Sequence, residues 1–373
     1  MKRFFKSLSL KRLILLGSAV LALIIALIIK LICTSKANSL TEQMAWKRWG
    51  NLAKDTQISV FFDKEFDYNF YNIRSLQADM EKKLLESSIV SESENANARQ
   101  WIYAYSLKGS VDLEGEAGKT TANVYAVGGD FFEFHPLELV RGSYFESTDV
   151  MKDYILLDRE LAWQLFGSND IIGKQVWCGN IPLMVIGVYN RPESKFNEAA
   201  GNNAATAYIS YESYGTLSGE ESANGPGVDT YEIILPNPVK GFGLQLFIDT
   251  FKTDESKYMM IENAERFSFL SLLKVIRDFG KRSMSMKGIV YPYWENIARG
   301  YEDILAIFLL IRLILYLYAI VIAVIFIVIG LKSIPWKDLK RRFLDWYDDF
   351  KTSDHTKIKD FFKKISKRDV EDL

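Results

Sequence analysis

Two long apolar runs, one near each end of the chain, dominate its hydrophobic pattern. The first covers residues 13–33, with Lys30 as its single charge, and the second covers residues 304–331, interrupted only by Arg312. A helix needs about 20 apolar residues to cross a bilayer, and a lysine near its end can extend its ammonium group to the headgroups. The pattern therefore predicts two transmembrane helices with these bounds.

A cleaved signal peptide is the alternative interpretation of the first run. Such signals have an apolar core of about 7–15 residues, which is shorter than this run, so we expect an uncleaved anchor.

Arg312, in the second run, also has two interpretations. It could extend to the outer interface, near the aromatic anchors Tyr316 and Tyr318, or pair inside the membrane with an acid of another subunit. We expect the first.

Charge is distributed unevenly around the two runs. Residues 1–12 contain five Lys or Arg and no acid, and residues 332–342 contain five bases and one acid. The segment before the second run instead carries three acids: Glu295, Glu302 and Asp303. Because positively charged flanks stay in the cytoplasm, both termini are predicted to be cytoplasmic, including a tail at residues 332–373. Residues 34–303 are predicted to form an extracytoplasmic domain.

Between the runs, short segments with strand or helix periodicity follow one another. Alternation predicts strands at 57–62, 101–107, 122–127, 175–177, 183–189, 205–210, 231–235 and 259–261. Helical spacing predicts helices at 40–54, 76–85, 158–166, 242–253 and 267–282, and a last helix near 294–299 that continues into the second run. The order β-α-β-β at the start predicts an α+β fold in which helices cover a sheet.

Composition excludes several classes of protein. With 25% charged, 49% hydrophobic and 14% aromatic residues, the chain is too apolar to be disordered. Its net charge is −1, but residues 34–303 alone carry about −11, and nucleic-acid binding needs clustered Lys and Arg. Two cysteines, Cys33 and Cys178, are too few for a disulfide framework. Because these cysteines are far apart in the chain, we expect no Cys/His zinc site with His135 and His355.

The sequence contains no residue pattern typical of catalysis. Residues 116–120 superficially resemble a phosphate-binding loop, but Leu113 stands where that pattern needs its first glycine. His135 is the one histidine of the predicted extracytoplasmic domain. A catalytic triad in this domain would therefore have only one candidate for its histidine base. It lies beside Pro136 in an aromatic stretch, so we expect it to be packed. We expect no enzyme, no cofactor and no metal site.

The predicted cytoplasmic tail is amphipathic. Its aromatic and aliphatic residues recur at helical spacing, with bases on other faces: Trp336, Leu339, Phe343 and Trp346, with Arg341 and Arg342. Two interpretations remain. The tail could lie along the inner leaflet of the bilayer, which we favour, or dock into an ATPase as a coupling helix.

A series of spaced motifs covers residues 129–189. An aromatic pair precedes an Arg-Gly turn, and a strand, a helix and a hairpin follow; the motif residues are Phe131, Phe132, Arg141, Gly142, Leu161, Ala162, Phe166, Gly167, Gly173, Lys174, Gly187 and Val188. This series resembles MacB-like periplasmic core domains, sharply over these residues and diffusely over 55–300. The resemblance implies an α+β lobe with an inserted β-rich lobe, in a member of the MacB/FtsX/LolC-E group of ABC transporter permeases.

The resemblance also implies a function without bond chemistry. Members of the group have four spans, with the external domain between the first two, and transmit ATP-driven motion to that domain; here two spans are predicted. The implied function is a non-catalytic membrane subunit that relays mechanical work. Its implied partners are an ABC ATPase subunit, a full-length FtsX-like permease, the lipid bilayer, further copies of itself and an extracytoplasmic protein or peptide ligand. The alternative is a stand-alone membrane-anchored binding or sensing protein.

Overall fold

The computed structural model describes residues 10–49, 55–87, 99–219, 225–282, 285–286, 288–333, 338, 340–348 and 350. The chain divides into two units, one formed by Ile29–Leu310 and the other by Met1–Ile28 together with Ile311–Leu373. All strands of the described residues belong to the first unit.

Ten α-helices lie in the described residues between Leu10 and Ser333, and the first and the last are the longest. They are α1 (Leu10–Asn38), α2 (Ala45–Trp49), α3 (Phe70–Glu86), α4 (Phe131–Phe134), α5 (Arg159–Phe166), α6 (Lys195–Ala199), α7 (Tyr211–Leu217), α8 (Phe242–Thr250), α9 (Phe269–Arg277) and α10 (Tyr293–Ser333). Local signals explain several helix ends. Asn69 caps α3 by accepting the backbone N–H groups of Tyr71 and Asn72. Asp158 caps α5, which ends at Gly167 with φ 66°.

One mixed sheet of ten strands forms the framework of the first unit. The strands are β1 (Asp55–Phe62), β2 (Ile102–Glu114), β3 (Lys119–Gly129), β4 (Glu138–Gly142), β5 (Tyr154–Asp158), β6 (Gln175–Cys178), β7 (Ile181–Asn190), β8 (Thr206–Ser210), β9 (Thr230–Pro236) and β10 (Tyr258–Glu262); β11 (Ser285–Met286) and β12 (Ile289–Val290) form a separate pair. The order is β10-β1-β9-β2-β3-β8-β5-β7-β4, and β6 pairs with β7 and β2. Pairs β3–β8 and β5–β7 are parallel, and the other neighbours are antiparallel.

The predicted α+β class is confirmed, and the strands inserted between β3 and β9 continue the same sheet. The hairpin β2–β3 is longer than predicted on both sides of its turn. Its extension alternates exposed residues such as Asp112 with buried Val111 and Leu113, because only one face of the sheet is covered there. The segment predicted as a helix at 40–54 has a 3-10 turn at Glu42–Met44 followed by the short α2, and its residues 50–54 lie outside the described residues.

The two faces of the sheet bury different side chains. Alternate residues of a strand point to opposite faces, so Ile58 and Val60 enter a core of mixed aliphatic and aromatic residues covered by α3, α5, α7 and α8. The opposite face carries an aromatic core that includes Tyr125, Tyr208 and Trp294. Trp294 lies in the first turn of α10, so this second face is where the start of that helix attaches.

The second unit contains the parts of α1 and α10 that lie outside the first. There Ala19 packs against Ala319 and Ile322, and the hydroxyl groups of Ser18 and Tyr318 lie 2.8 Å apart. Small side chains let apolar helices approach closely. Both helices are long and apolar enough to cross a membrane, and the predicted spans fall within them.

Candidate functional site

The motif residues of 129–189 are dispersed through the sheet and its turns. The apolar members are buried on α4, α5 and β7: Phe131, Leu161, Ala162 and Val188. Phe132 stacks on Tyr144 at 4.5 Å between ring centroids. Two charged members pair locally: the exposed Arg141 lies 3.1 Å from Asp170, and the half-buried Lys174 lies over the Phe166 ring at 5.4 Å. We therefore assign these residues to the framework.

Glycines of the motif permit turns and close backbone contacts. Gly142 has a φ of 85°, and a Cβ there would lie 1.9 Å from the carbonyl oxygen of Ile186. A Cβ on Gly187 would lie 2.8 Å from the Ser143 carbonyl oxygen. Gly173 also has a positive φ, at 83°. Strands β4 and β7 can pair this closely because neither glycine has a side chain.

His135 is packed in the aromatic core, as the sequence indicated. Its ring lies 4.5 Å from that of Phe131 and 4.4 Å from that of Trp294, between centroids. Its Nε2 contacts the carboxylate of Glu232 on β9, which also accepts a 2.6 Å hydrogen bond from Ser59 Oγ on β1. All three polar residues are buried.

A continuous buried network runs from His135 across the sheet to the start of α10. Asn263 links its two parts, because its Nδ2 donates to Ser59 Oγ at 2.8 Å and its Oδ1 accepts from Arg266 at 3.2 Å. We call this set the buried network; its members are Ser59, His135, Glu232, Asn263, Arg266, Glu295 and Glu302. Because its members come from five parts of the chain, the network joins those parts to one another.

Arg266 is the centre of the charged part of the buried network. Its guanidinium donates to both oxygens of Glu295, at 2.7 and 2.6 Å, and its Nε donates to Glu302 at 2.6 Å. The three residues are 3%, 1% and 7% exposed, respectively. Arg282 lies against the outer side, in contact with Glu302 and 3.2 Å from Asp303. Both glutamates lie on α10, so the network holds its first three turns.

Electrostatics keep the centre of the network ionised. Burial by itself would lower the pKa of the Arg266 guanidinium, but the adjacent carboxylates of Glu295 and Glu302 raise it above its ordinary value. A buried charge is tolerated only when it is paired and hydrogen-bonded. Arg266 meets both conditions, so it is a specific attachment point for α10.

The segment after α1 attaches to the same face of the sheet. Gln57 Nε2 on β1 donates to the Glu42 carbonyl at 2.8 Å, and Gln43 Nε2 donates to the Trp294 carbonyl at 3.3 Å. Arg48 on α2 donates to the Glu133 carbonyl at 2.7 Å. The segments that follow α1 and that begin α10 are therefore bound side by side to one surface.

Glu42 makes this attachment sensitive to pH. The side chain is half-buried, and desolvation of its carboxyl group raises its pKa from 4.5 to about 7, against the opposing effect of His135. A raised pKa means that the folded state favours the protonated acid, so stability is lost as pH rises from about 4.5 to about 7. The shift corresponds to about 3 kcal/mol at most, an upper value because part of the side chain meets solvent.

We therefore expect Glu42→Gln to unfold at a higher temperature than the wild type at pH 8 and at nearly the same temperature at pH 4.5. Thermal unfolding of the full chain in mild detergent over this range is the measurement. Glu81→Gln, at an exposed position of α3, is the control and should show no pH-dependent difference. A constant difference between Glu42→Gln and wild type at all pH values would contradict the assignment.

Sequence reasoning did not find the buried network. Glu295 and Glu302 are seven residues apart and therefore share one face of a helix. The sequence analysis interprets them only as acids that precede the second apolar run. Arg266 had no local signal, since its partners lie 29 and 36 residues away. The described residues hold no group of three or more His, Cys, Asp or Glu side chains that could bind a metal ion.

The tail residues are placed only in part. Trp336 and Leu339 lie outside the described residues. Arg341, Arg342, Phe343 and Trp346 lie in a helical segment and are exposed, with Phe343 61% and Trp346 59% exposed. Their role in membrane or partner binding remains a prediction.

Curated relatives of this chain match it over part of their length. The macrolide export ATP-binding/permease protein MacB of Neisseria gonorrhoeae is 28% identical over 145 residues, which is 38% of this chain and 21% of that protein. The MacB protein of Agrobacterium fabrum is 30% identical over 135 residues, 35% of this chain and 20% of that protein. The chain thus spans about a fifth of the length of these relatives.

The similarity of this chain to solved structures is weaker. The periplasmic region of MacB from Actinobacillus actinomycetemcomitans has 16% identity and a TM-score of 0.39, covering 64% of this chain and 99% of that one. The extracellular domain of the ABC-type transporter YknZ from Gram-positive bacteria has 17% identity and a TM-score of 0.35, covering 55% and 99%.

The family comparison is the decisive one. The model of the MacB-like periplasmic core domain matches residues 52–240, which include β1 to β9 and the whole motif series. Helices α1 and α10 lie on either side of the match, and both are long and apolar enough to span a membrane. This chain is therefore a membrane protein with an extracytoplasmic domain, and it belongs to the family of MacB-like periplasmic core domain proteins.

Proposed function

We propose that this chain is a non-catalytic membrane subunit of a MacB/FtsX-like ABC transporter system. In this proposal both termini are cytoplasmic, residues 34–303 are extracytoplasmic, and the chain relays mechanical work between a cytoplasmic ATPase or partner permease and its extracytoplasmic domain. The observation that carries the proposal is the buried network, which binds the first turns of α10 to strands β1 and β9.

The attachment suits the transmission of force better than a flexible linker would. Helix α10 is continuous from Tyr293 to Ser333, and its first turn carries Trp294 and Glu295. Those residues contact Tyr125 on β3, His135 at the end of α4 and Arg266 after β10, through packed rings and paired charges. Packed interfaces change between discrete arrangements instead of deforming gradually, which is the behaviour that a relay needs.

The partner class follows from the family. The matched relatives are named ATP-binding/permease proteins. We therefore propose that a separate subunit supplies ATP hydrolysis.

Co-purification tests this function. The tagged full chain is extracted from its own host in mild detergent and its partners are identified by mass spectrometry, with an unrelated tagged two-span protein as control. We expect an ABC ATPase subunit to be enriched with this chain and absent from the control. A monomeric chain with no ATPase would overturn the proposal and favour a stand-alone binding or sensing protein.

A further inference from the structure

We propose that α9 and the 3-10 turn that follows it, Phe279–Lys281, bind the extracytoplasmic surface of the bilayer. Three large apolar side chains of this segment are exposed: Phe269 at 53%, Leu270 at 68% and Phe279 at 46%. All residues from 266 to 282 lie in the described part of the chain. Grouped exposed apolar side chains mark a binding surface, so the segment has apolar surface that the domain itself does not cover.

Helix α9 is apolar on both its covered and its outer side. Leu272 and Val275 are each 7% exposed, so they mark the covered side. At about 100° per residue, Leu270 lies about 160° from Leu272 and about 140° from Val275, and therefore points away from that side. The outer side of a helix that faces water carries polar residues, so the exposed Leu270 departs from that pattern.

Two bases accompany Leu270 on the outer side of α9. Lys274 and Arg277 lie about 40° and about 20° from Leu270 around the helix. Both are exposed, as is Lys281 in the following turn. Interfacial helices place apolar side chains at the boundary of the acyl chains while their Lys and Arg reach the lipid phosphates. The outer side of α9 therefore has the composition of a surface that binds lipid headgroups.

The segment carries a positive net charge within an acidic domain. Residues 268–282 contain four bases and one acid, and that acid, Asp278, lies 3.2 Å from Arg277. Residues 34–303 as a whole carry about −11. Bases close to a membrane are attracted to its anionic headgroups, so this segment is suited to lean on lipid although the rest of the domain is acidic.

Contacts with α10 place the segment beside the start of the second predicted span. Arg266, before α9, donates from Nε to Glu302 at 2.6 Å, and Arg282, after the turn, contacts the other carboxylate oxygen of Glu302. Arg282 also lies 3.2 Å from Asp303. The predicted span begins two residues after Glu302, about 3 Å along the helix, and its residues 304–310 belong to the same unit as α9. Both ends of the segment are therefore held where the chain enters the bilayer, with lipid headgroups within reach. The inference does not depend on an ATPase partner.

Spin labels on the full chain test the inference. Cys33 and Cys178 are replaced by serine, and a label is placed by Leu270→Cys or, as a control, by Leu85→Cys. Leu85 is 77% exposed near the end of α3, which covers the face of the sheet opposite to the one that holds α10. The protein is reconstituted in phosphatidylcholine vesicles with one quarter phosphatidylglycerol. We expect the ratio of accessibility to lipid-dissolved oxygen over accessibility to a water-soluble nickel complex to be several times higher at 270 than at 85.

Substitution of one lysine tests the contact with lipid phosphates. We expect Lys274→Gln to lower the population of lipid-bound relative to water-exposed label at 270 roughly fivefold. Lys252→Gln is the control, since Lys252 is 79% exposed and lies 4.0 Å from Asp79 on α3, and should leave this population unchanged. Nickel accessibility as high at 270 as at 85, or equal effects of the two lysine substitutions, would overturn the inference. Protection of position 270 that appears only when a protein partner is added would assign the surface to that partner and also overturn it.

Discussion

Arg266→Leu is expected to lower the free energy of unfolding of the full chain by about 3–5 kcal/mol, the usual cost of removing one partner from a buried ion pair. The substitution leaves Glu295 and Glu302, 1% and 7% exposed, without the guanidinium that contacts both. For a domain of this size the loss corresponds to a fall of roughly 10 °C in unfolding temperature. Tryptophan fluorescence during heating in mild detergent is the measurement.

The matched control is Arg277→Leu on α9. Arg277 is also paired with an acid, Asp278 at 3.2 Å, but the pair is exposed to solvent, so its loss should leave the unfolding temperature almost unchanged. Replacing Arg266 by Met together with Glu295→Gln and Glu302→Gln should recover much of the lost stability, because no unpaired charge remains buried. If Arg266→Leu unfolds like wild type, the network does not attach α10.

Trp294→Ala is expected to cost about 3–5 kcal/mol, as removal of large buried aromatic side chains does. Trp294 is 1% exposed and packs against the rings of Tyr125, at 5.2 Å, and His135, at 4.4 Å. Its truncation leaves a cavity where α10 meets the sheet. The first turns of the helix then lose their apolar attachment, while the ion pairs of Arg266 remain. The same thermal measurement reports the change.

Trp163→Ala is the control for this substitution. Trp163 lies on α5 and is 55% exposed, so its removal creates no cavity and should change the unfolding temperature little. A fall in unfolding temperature for Trp294→Ala no larger than that for Trp163→Ala would show that the aromatic core does not hold α10. Since Trp294 and Glu295 are adjacent, the effects of Trp294→Ala and Arg266→Leu should be non-additive.

The agreement between sequence and structure is closest where a signal is local. The helix at Arg159–Phe166 agrees with the helix that spacing predicts at 158–166, and Gly167 follows its end with a positive φ. The hairpin of β6 and β7 was predicted from alternation on both sides of a turn. The continuation of α10 through the second apolar run was also predicted, because nothing in residues 293–333 interrupts helical spacing.

Agreement is poorer where a position depends on distant residues. Residues 40–54 have helical spacing, and the structure has a 3-10 turn at Glu42–Met44 that leads directly into α2. Gln43 and Gln57 of this region donate to the backbone carbonyl groups of Trp294 and Glu42. The acids Glu295 and Glu302 read as surface charges in the sequence. Only folding brings Arg266 between them, and only that contact allows them to be buried.

The sequence by itself determined the two apolar helices, the α+β class and the motif series that identifies the family, because hydrophobic periodicity and turn residues act over a few positions. The tertiary structure alone decided that the strands after β3 join one sheet and that the segments next to both long helices bind the same face of it. It also decided which charges are buried. These features depend on contacts between residues far apart in the chain, and the free energy of a buried charge depends on whether a partner reaches it.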